Sequence, residues 1–160
     1  MKLKLLVLIP LLIVLQGGGC SSDDDDGGGS INDNFVTFLG ETTEATGGCN
    51  VESQGGLDIT CVYSGFYQLD GLTYGIAVSH EGTCRSATFN LRDELNDSSD
   101  AFLVLQITDN GVVVETYVSI SGSVDLVDAG TVSSMRFEGT MRNLATDEEE
   151  TIEGFIECPI

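Results

Sequence analysis

Downstream of Gly56 the chain keeps to a period of two, and that rhythm restricts its fold more than any other feature. In SATFNLR the apolar residues Ala87, Phe89 and Leu91 alternate with Ser86, Thr88, Asn90 and Arg92. In SMRFEGTMR, Met135, Phe137, Gly139 and Met141 alternate with Arg136, Glu138, Thr140 and Arg142. LDITCVYS puts Leu57, Ile59, Cys61 and Tyr63 on one side, and GLTYGIAVS does the same for Leu72, Tyr74, Ile76 and Val78. Successive side chains of an extended strand point to opposite faces, so each segment reads as a strand with one wet and one dry face. AFLVLQIT, from Ala101, is more uniformly apolar and suits a central strand. No long window after Ser30 carries a helical stripe.

The punctuation between these segments agrees with them. Asn110-Gly111, between QITD and VVVE, and Asp70-Gly71, between FYQL and LTYG, are two-residue hairpin signals, because both central residues of a type I′ turn need positive φ. Looser turns are expected at Asp128-Ala129-Gly130 and at Thr146 to Glu149, and a polar loop from Arg92 to Asp100. The expectation is an all-β chain: a single antiparallel β-sandwich or small β-barrel of about 8 to 10 strands. Residues 31–160 suffice for one such domain with a real core, and no internal repeat or second linker divides them.

Five cysteines bear on both fold and address. Cys49, Cys61, Cys84 and Cys158 form an even set in the body of the chain, as expected of two disulfides in an oxidising compartment. Four cysteines allow three pairings. If CNVESQGGLDITC folds back around Gly55, Cys49 stands opposite Cys61 with Val51 facing Ile59, and Cys84 is left to meet Cys158. Zinc is disfavoured, because no CxxC pair is present.

The fifth cysteine, Cys20, follows a recognisable leader. Met1 to Lys4 is a short basic head, LLVLIPLLIVL from Leu5 to Leu15 is apolar, and Gln16 to Gly19 is a polar break with small residues. This is the three-part layout of a secretory signal, and the apolar run is about half what a membrane-spanning helix needs. Small residues before Cys20 suit lipoprotein processing, and a thioether-linked lipid removes an otherwise exposed odd thiol. The expected divisions are residues 1–19 as signal peptide, 20–30 as lipidated cysteine and tether, and 31–160 as the β-domain.

LQGGGC followed by SSDDDDGGGS resembles the start of bacterial lipoproteins of the Bacteroidota type. The position three before the cysteine is Gly17, with the nearest aliphatic residue at Leu15. In that family an acidic run just after the lipidated cysteine is associated with export to the outer face of the outer membrane. The resemblance therefore implies an outer-membrane, lipid-anchored protein facing the cell exterior. Ser21 to Ser30 contains no apolar residue, so this stretch cannot collapse and is expected to act as an extended, self-repelling tether.

Removing the leader takes Lys2 and Lys4 with it and leaves only Arg85, Arg92, Arg136 and Arg142 against 26 carboxylates. Nucleic acid needs a basic footprint and is excluded as a partner, and anionic headgroups are equally disfavoured.

No catalytic signature stands out: GxSxG, HExxH and the P-loop are all absent. His80 is the only histidine, and by strand parity it falls on the side of Tyr74, Ile76 and Val78, where a histidine satisfied at a strand end is favoured over a catalytic base. Asp93, Asn96, Asp97 and Asp100 put several oxygen ligands in one loop and make Ca2+ the one cofactor to consider, but the glycine and distal glutamate of an EF-hand are missing. Tyr63, Phe66, Tyr67 and Tyr74 are the one aromatic cluster and the only candidates for a ligand platform in a chain without tryptophan. The expected function is a non-catalytic binding, adhesion or envelope-associated module, its ligand a glycan or another envelope protein. The alternative is a small extracellular polymer hydrolase working through paired carboxylates, assisted by calcium.

Overall fold

The computed structural model describes residues 34–45, 50–54, 60–128 and 132–159, all within the unit Ile31–Ile160. The leader, Cys20, the tether, Cys49, Leu57 and Ile59 lie outside the described residues, and Cys158 is described by its backbone alone.

Ten strands run in chain order: β1 Phe35–Phe38, β2 Glu41–Glu44, β3 Asn50–Gln54, β4 Thr60–Leu69, β5 Leu72–Glu81, β6 Ala87–Leu91, β7 Asp100–Asp109, β8 Val112–Asp128, β9 Val132–Asn143 and β10 Glu149–Pro159. They form one sheet in the order β2-β1-β10-β9-β8-β6-β7-β5-β4-β3. The sheet curls until it is nearly closed and barrel-like, with β2 approaching β4 across the seam. All pairings are antiparallel except the short β6–β7 contact, and among the described residues there is no helix. The all-β expectation holds, and a sheet so nearly closed leaves few free edges.

The alternation lies where the sequence put it. Phe89 and Leu91 on β6, Leu103 and Leu105 on β7, Leu126 on β8, and Met135, Phe137 and Met141 on β9 are all at or near complete burial. Side chains fill the interior, as expected for so small a barrel. β7 is central, and its burial alternates between complete and partial.

β8 holds the barrel's main irregularity. Its first half pairs with β7 and its second half with β6, and its register against β9 shifts between Ser119 and Ser121. Just beyond the shift Gly122 has φ of 129° and faces Gly139 on β9. A Cβ on Gly122 would lie 2.2 Å from the Glu138 carbonyl oxygen, so the two backbones meet only because neither residue has a side chain. A bulge re-aims a strand, and this one accompanies the change of partner from β7 to β6.

One expected register is corrected. β3 and β4 do form an antiparallel hairpin, but Val51 faces Tyr63 and Ser53 faces Cys61. The pairing is therefore shifted by four residues from the one that places Val51 opposite Ile59. The expected Cys49–Cys61 and Cys84–Cys158 pairing gives way with it. Cys61 is bonded to Cys84, with Cα atoms 5.0 Å apart. Cys61 stands opposite His80 near the end of β5, and the chain turns back through Gly82, at φ 96°, to bring Cys84 over the barrel end.

The up-and-down connectivity separates the two ends. The turns β1–β2, β4–β5, β7–β8 and β9–β10 all lie at one end, referred to below as the turn end. Asp70-Gly71 and Asn110-Gly111 have positive φ at both residues, as their sequences predict. Leu39-Gly40 does the same at φ of 54° and 79°, without the Asn or Asp that marks such a turn. The chain enters β1 at the opposite end.

Candidate binding site

The β4–β5 hairpin sorts the four aromatic candidates. Tyr63, Tyr67 and Tyr74 point inward and are buried, whereas Phe66 lies on the other face and is half-buried. Tyr67 is paired directly with Tyr74 just before the Asp70-Gly71 turn, and their rings stack with centroids 4.7 Å apart and planes 15° from parallel. Tyr63 is separated from them along β4 toward the opposite end, with its hydroxyl buried and without a hydrogen-bond partner among the described residues. Burial raises its pKa, and Asp128 raises it further.

Beside the stacked pair at the turn end is a cavity of about 190 Å³. Three rings line it, Phe38 from β1 with Tyr67 and Tyr74, joined by Leu39 and by the carboxylates Glu41 and Asp70. The Phe38 ring is held edge-on against Tyr117, with centroids 5.0 Å apart. Tyr117 Oη donates to Glu115 Oε2 at 2.6 Å, and Asn143 Nδ2 donates to the same oxygen at 3.2 Å, which fixes the acidic wall behind the rings. Burial raises the Tyr74 hydroxyl, and the negative charges of Asp70, Glu115 and Glu41 raise it further. Burial and the neighbouring Tyr74 likewise push Tyr67 well above the ordinary tyrosine range.

Among the described residues neither Glu41 nor Asp70 has an ion-pair partner. Arg85 lies over the Phe89 ring at 5.6 Å, Arg136 lies over Phe155 at 4.9 Å, and Arg142 approaches Asp93 at 3.6 Å. Apolar surface also gathers here. Leu39, Val112, Val113, Val114 and Leu144 are about half exposed or more, and all sit in or next to turn-end connections. Val112 to Glu115 pair with β7 on one side and extend past the end of β9 on the other.

The remaining candidates lie elsewhere. His80 is completely buried and stacks on Phe89 at 4.3 Å. Its Nδ1–H donates to the Glu81 carbonyl at 2.9 Å, while Nε2 is buried without a partner, so the expectation of a fully satisfied histidine holds for one nitrogen only. Burial depresses its pKa, the hydrogen bond to Glu81 raises it in part, and Arg85 lowers it again.

The loop carrying the calcium candidates binds its own backbone. Asp100 Oδ2 accepts from the amides of Asn96 and Asp97 at 3.2 and 3.1 Å. Asp97 Oδ1 accepts from the Ser99 amide at 2.9 Å, which lowers the Asp97 pKa, and Asp93 faces Arg142. Among the described residues no group of three or more His, Cys, Asp or Glu side chains is placed to hold an ion. The carboxylates instead cap a turn, as Asx side chains commonly do.

A wider, open groove of about 450 Å³ lies where Ser121 and Gly122 meet Gly139. Thr37, Thr140 and Thr151 line it with Glu138 and Glu153, which are directly opposed across β9 and β10.

Sequence reasoning found Tyr67 and Tyr74 but not Phe38, Leu39 or Glu41, which come from the short first hairpin. The only signal there is Gly40 after an alternating FVTF. No family model, no curated protein and no solved structure matches the chain.

Proposed function

We propose that this chain is a lipid-anchored extracytoplasmic lipoprotein whose barrel acts as a non-catalytic binding module through its turn end. The observation that carries the binding role is the cavity beside Tyr67 and Tyr74, the place where aromatic, acidic and exposed apolar residues converge. Small-molecule sites commonly take this form, a concave aromatic lining with a few placed polar groups.

The leader and Cys20 supply the anchor. Several acyl chains, at about 0.8 kcal/mol per buried CH2, hold such a protein on a bilayer. The acidic tether and the excess of carboxylates favour a position clear of anionic headgroups, with the outer face of the outer membrane as the proposed location.

The experiment is fractionation of cells producing the natural chain or Cys20→Ala. The natural chain is expected in the membrane fraction and accessible to protease added to whole cells, and the variant in the soluble fraction. Equal partitioning of both would remove the lipid anchor.

A second reading, a hydrolase of extracellular polymer, is favoured by the opposed pair Glu138 and Glu153 in the open groove. Neighbouring carboxylates about 5 Å apart suit a retaining glycosidase. Turnover of a polysaccharide that is lost in Glu138→Gln or Glu153→Gln would establish this reading in place of the first.

A further inference from the structure

Resting on the binding role proposed for the turn end, we infer that the cavity beside Tyr67 and Tyr74 takes an alkylammonium group, carried on a slim apolar chain. Two independent features favour a cation. Three of the lining residues are aromatic, Phe38, Tyr67 and Tyr74, and although the two tyrosine rings stack on each other, aromatic rings attract organic cations through their quadrupoles. The charge at the cavity is negative and uncompensated: Glu41 and Asp70 are in the lining, and neither side chain makes a hydrogen bond or ion pair among the described residues. Glu115 stands behind them, bonded to Tyr117, and all three carboxylates act on the Tyr74 hydroxyl. An anion placed here would meet the like charge of Glu41 and Asp70, whereas a neutral sugar would gain nothing from it.

Size and surroundings narrow the class. A void of about 190 Å³ has room for about six waters, less than the roughly 300 Å³ at which drug-sized sites begin. It fits one head group and a few methylenes. Leu39 at its edge and the exposed valines of β8 at the same end offer apolar contact to whatever carries that head group, which excludes a bare metal ion as the preferred guest. A hydrated inorganic cation gains nothing from such a rim, whereas an alkylammonium gains on both counts.

The test is titration of the full chain carrying Cys20→Ala, followed by amide shifts, with three four-carbon probes: n-butylammonium, 1-butanol and butyrate. The ammonium is expected to bind at least about fivefold more tightly than the alcohol, with butyrate weakest. The shifts should be centred on Leu39, Tyr67 and Tyr74. The double variant Glu41→Gln, Asp70→Asn should weaken the ammonium by a similar factor and leave the alcohol unchanged. Asn tolerates the positive φ of position 70, and an unchanged thermal midpoint verifies folding.

A lysine-containing tripeptide binding more tightly than butylammonium would identify the source of the group as a polypeptide side chain, and the reverse order a free amine. Both orders support the inference. Equal or tighter binding of the alcohol or butyrate at the same residues would overturn the cation and leave the binding module standing. Absence of any shift at the turn end, with these probes and with a panel of neutral glycans, would overturn both.

Discussion

At the scale of single residues, His80 is the point where the chain pairs tight packing with a polar cost. The ring fills the interior beside Phe89, but only Nδ1 has a partner. Because burial is the largest influence and depresses its pKa, the folded protein resists protonation at pH values where the unfolded chain, with an ordinary value near 6.5, accepts a proton. The unfolded state then binds more protons, so this group makes stability fall as pH drops below about 6.5, until the depressed folded value is reached. His80→Phe keeps an aromatic ring against Phe89 and removes the titration. Denaturant midpoints measured from about pH 6.5 down to about 5, above the range where carboxylates dominate, should slope for the natural protein and flatten for the variant. Parity alone placed His80 on the inner face, but no sequence rule shows which ring nitrogen finds a partner.

At the scale of elements, β8 shows what sequence patterning conveys and what it omits. Alternation in SATFNLR, SMRFEGTMR and GLTYGIAVS names the inward residues correctly, because one face of each strand must be dry. It does not reveal that β8 bends, changes partner and crosses β9 at a glycine pair, since a bulge is fixed by contacts between distant strands. Gly122→Ala tests that crossing. The new methyl would meet the Glu138 carbonyl at 2.2 Å in a backbone conformation that side chains rarely adopt. Backbone strain of this kind costs about 1–3 kcal/mol by itself, and the overlap adds to it. The urea midpoint should therefore drop by at least about 2 kcal/mol equivalent with little change in slope. The same limit explains the cysteines. Local pattern implies a β3–β4 hairpin but not its register, and the Cys61–Cys84 bond depends on the turn after β5, which alternation does not encode.

At the scale of the whole molecule, four hairpin turns gather at one end of the barrel and the start of β1 lies at the other. Three of the four turns were legible in the sequence, at Asp70-Gly71, at Asn110-Gly111 and at Thr146 to Glu149, as were the tyrosines beside the first of them. The fourth turn joins β1 and β2, whose four-residue strands are too short for a periodic signal. With Cys61 and Cys84 joined, Cys49 and Cys158 are the remaining body cysteines, and an oxidising compartment should join them as well. The anchor and this second bridge are both read in one measurement: the intact mass of the protein purified from membranes without reduction. The account predicts the mass of Cys20 to Ile160 plus acyl chains, less four hydrogens. An unacylated mass recovered from the soluble fraction would contradict the lipid anchor, and a loss of only two hydrogens would contradict the second disulfide.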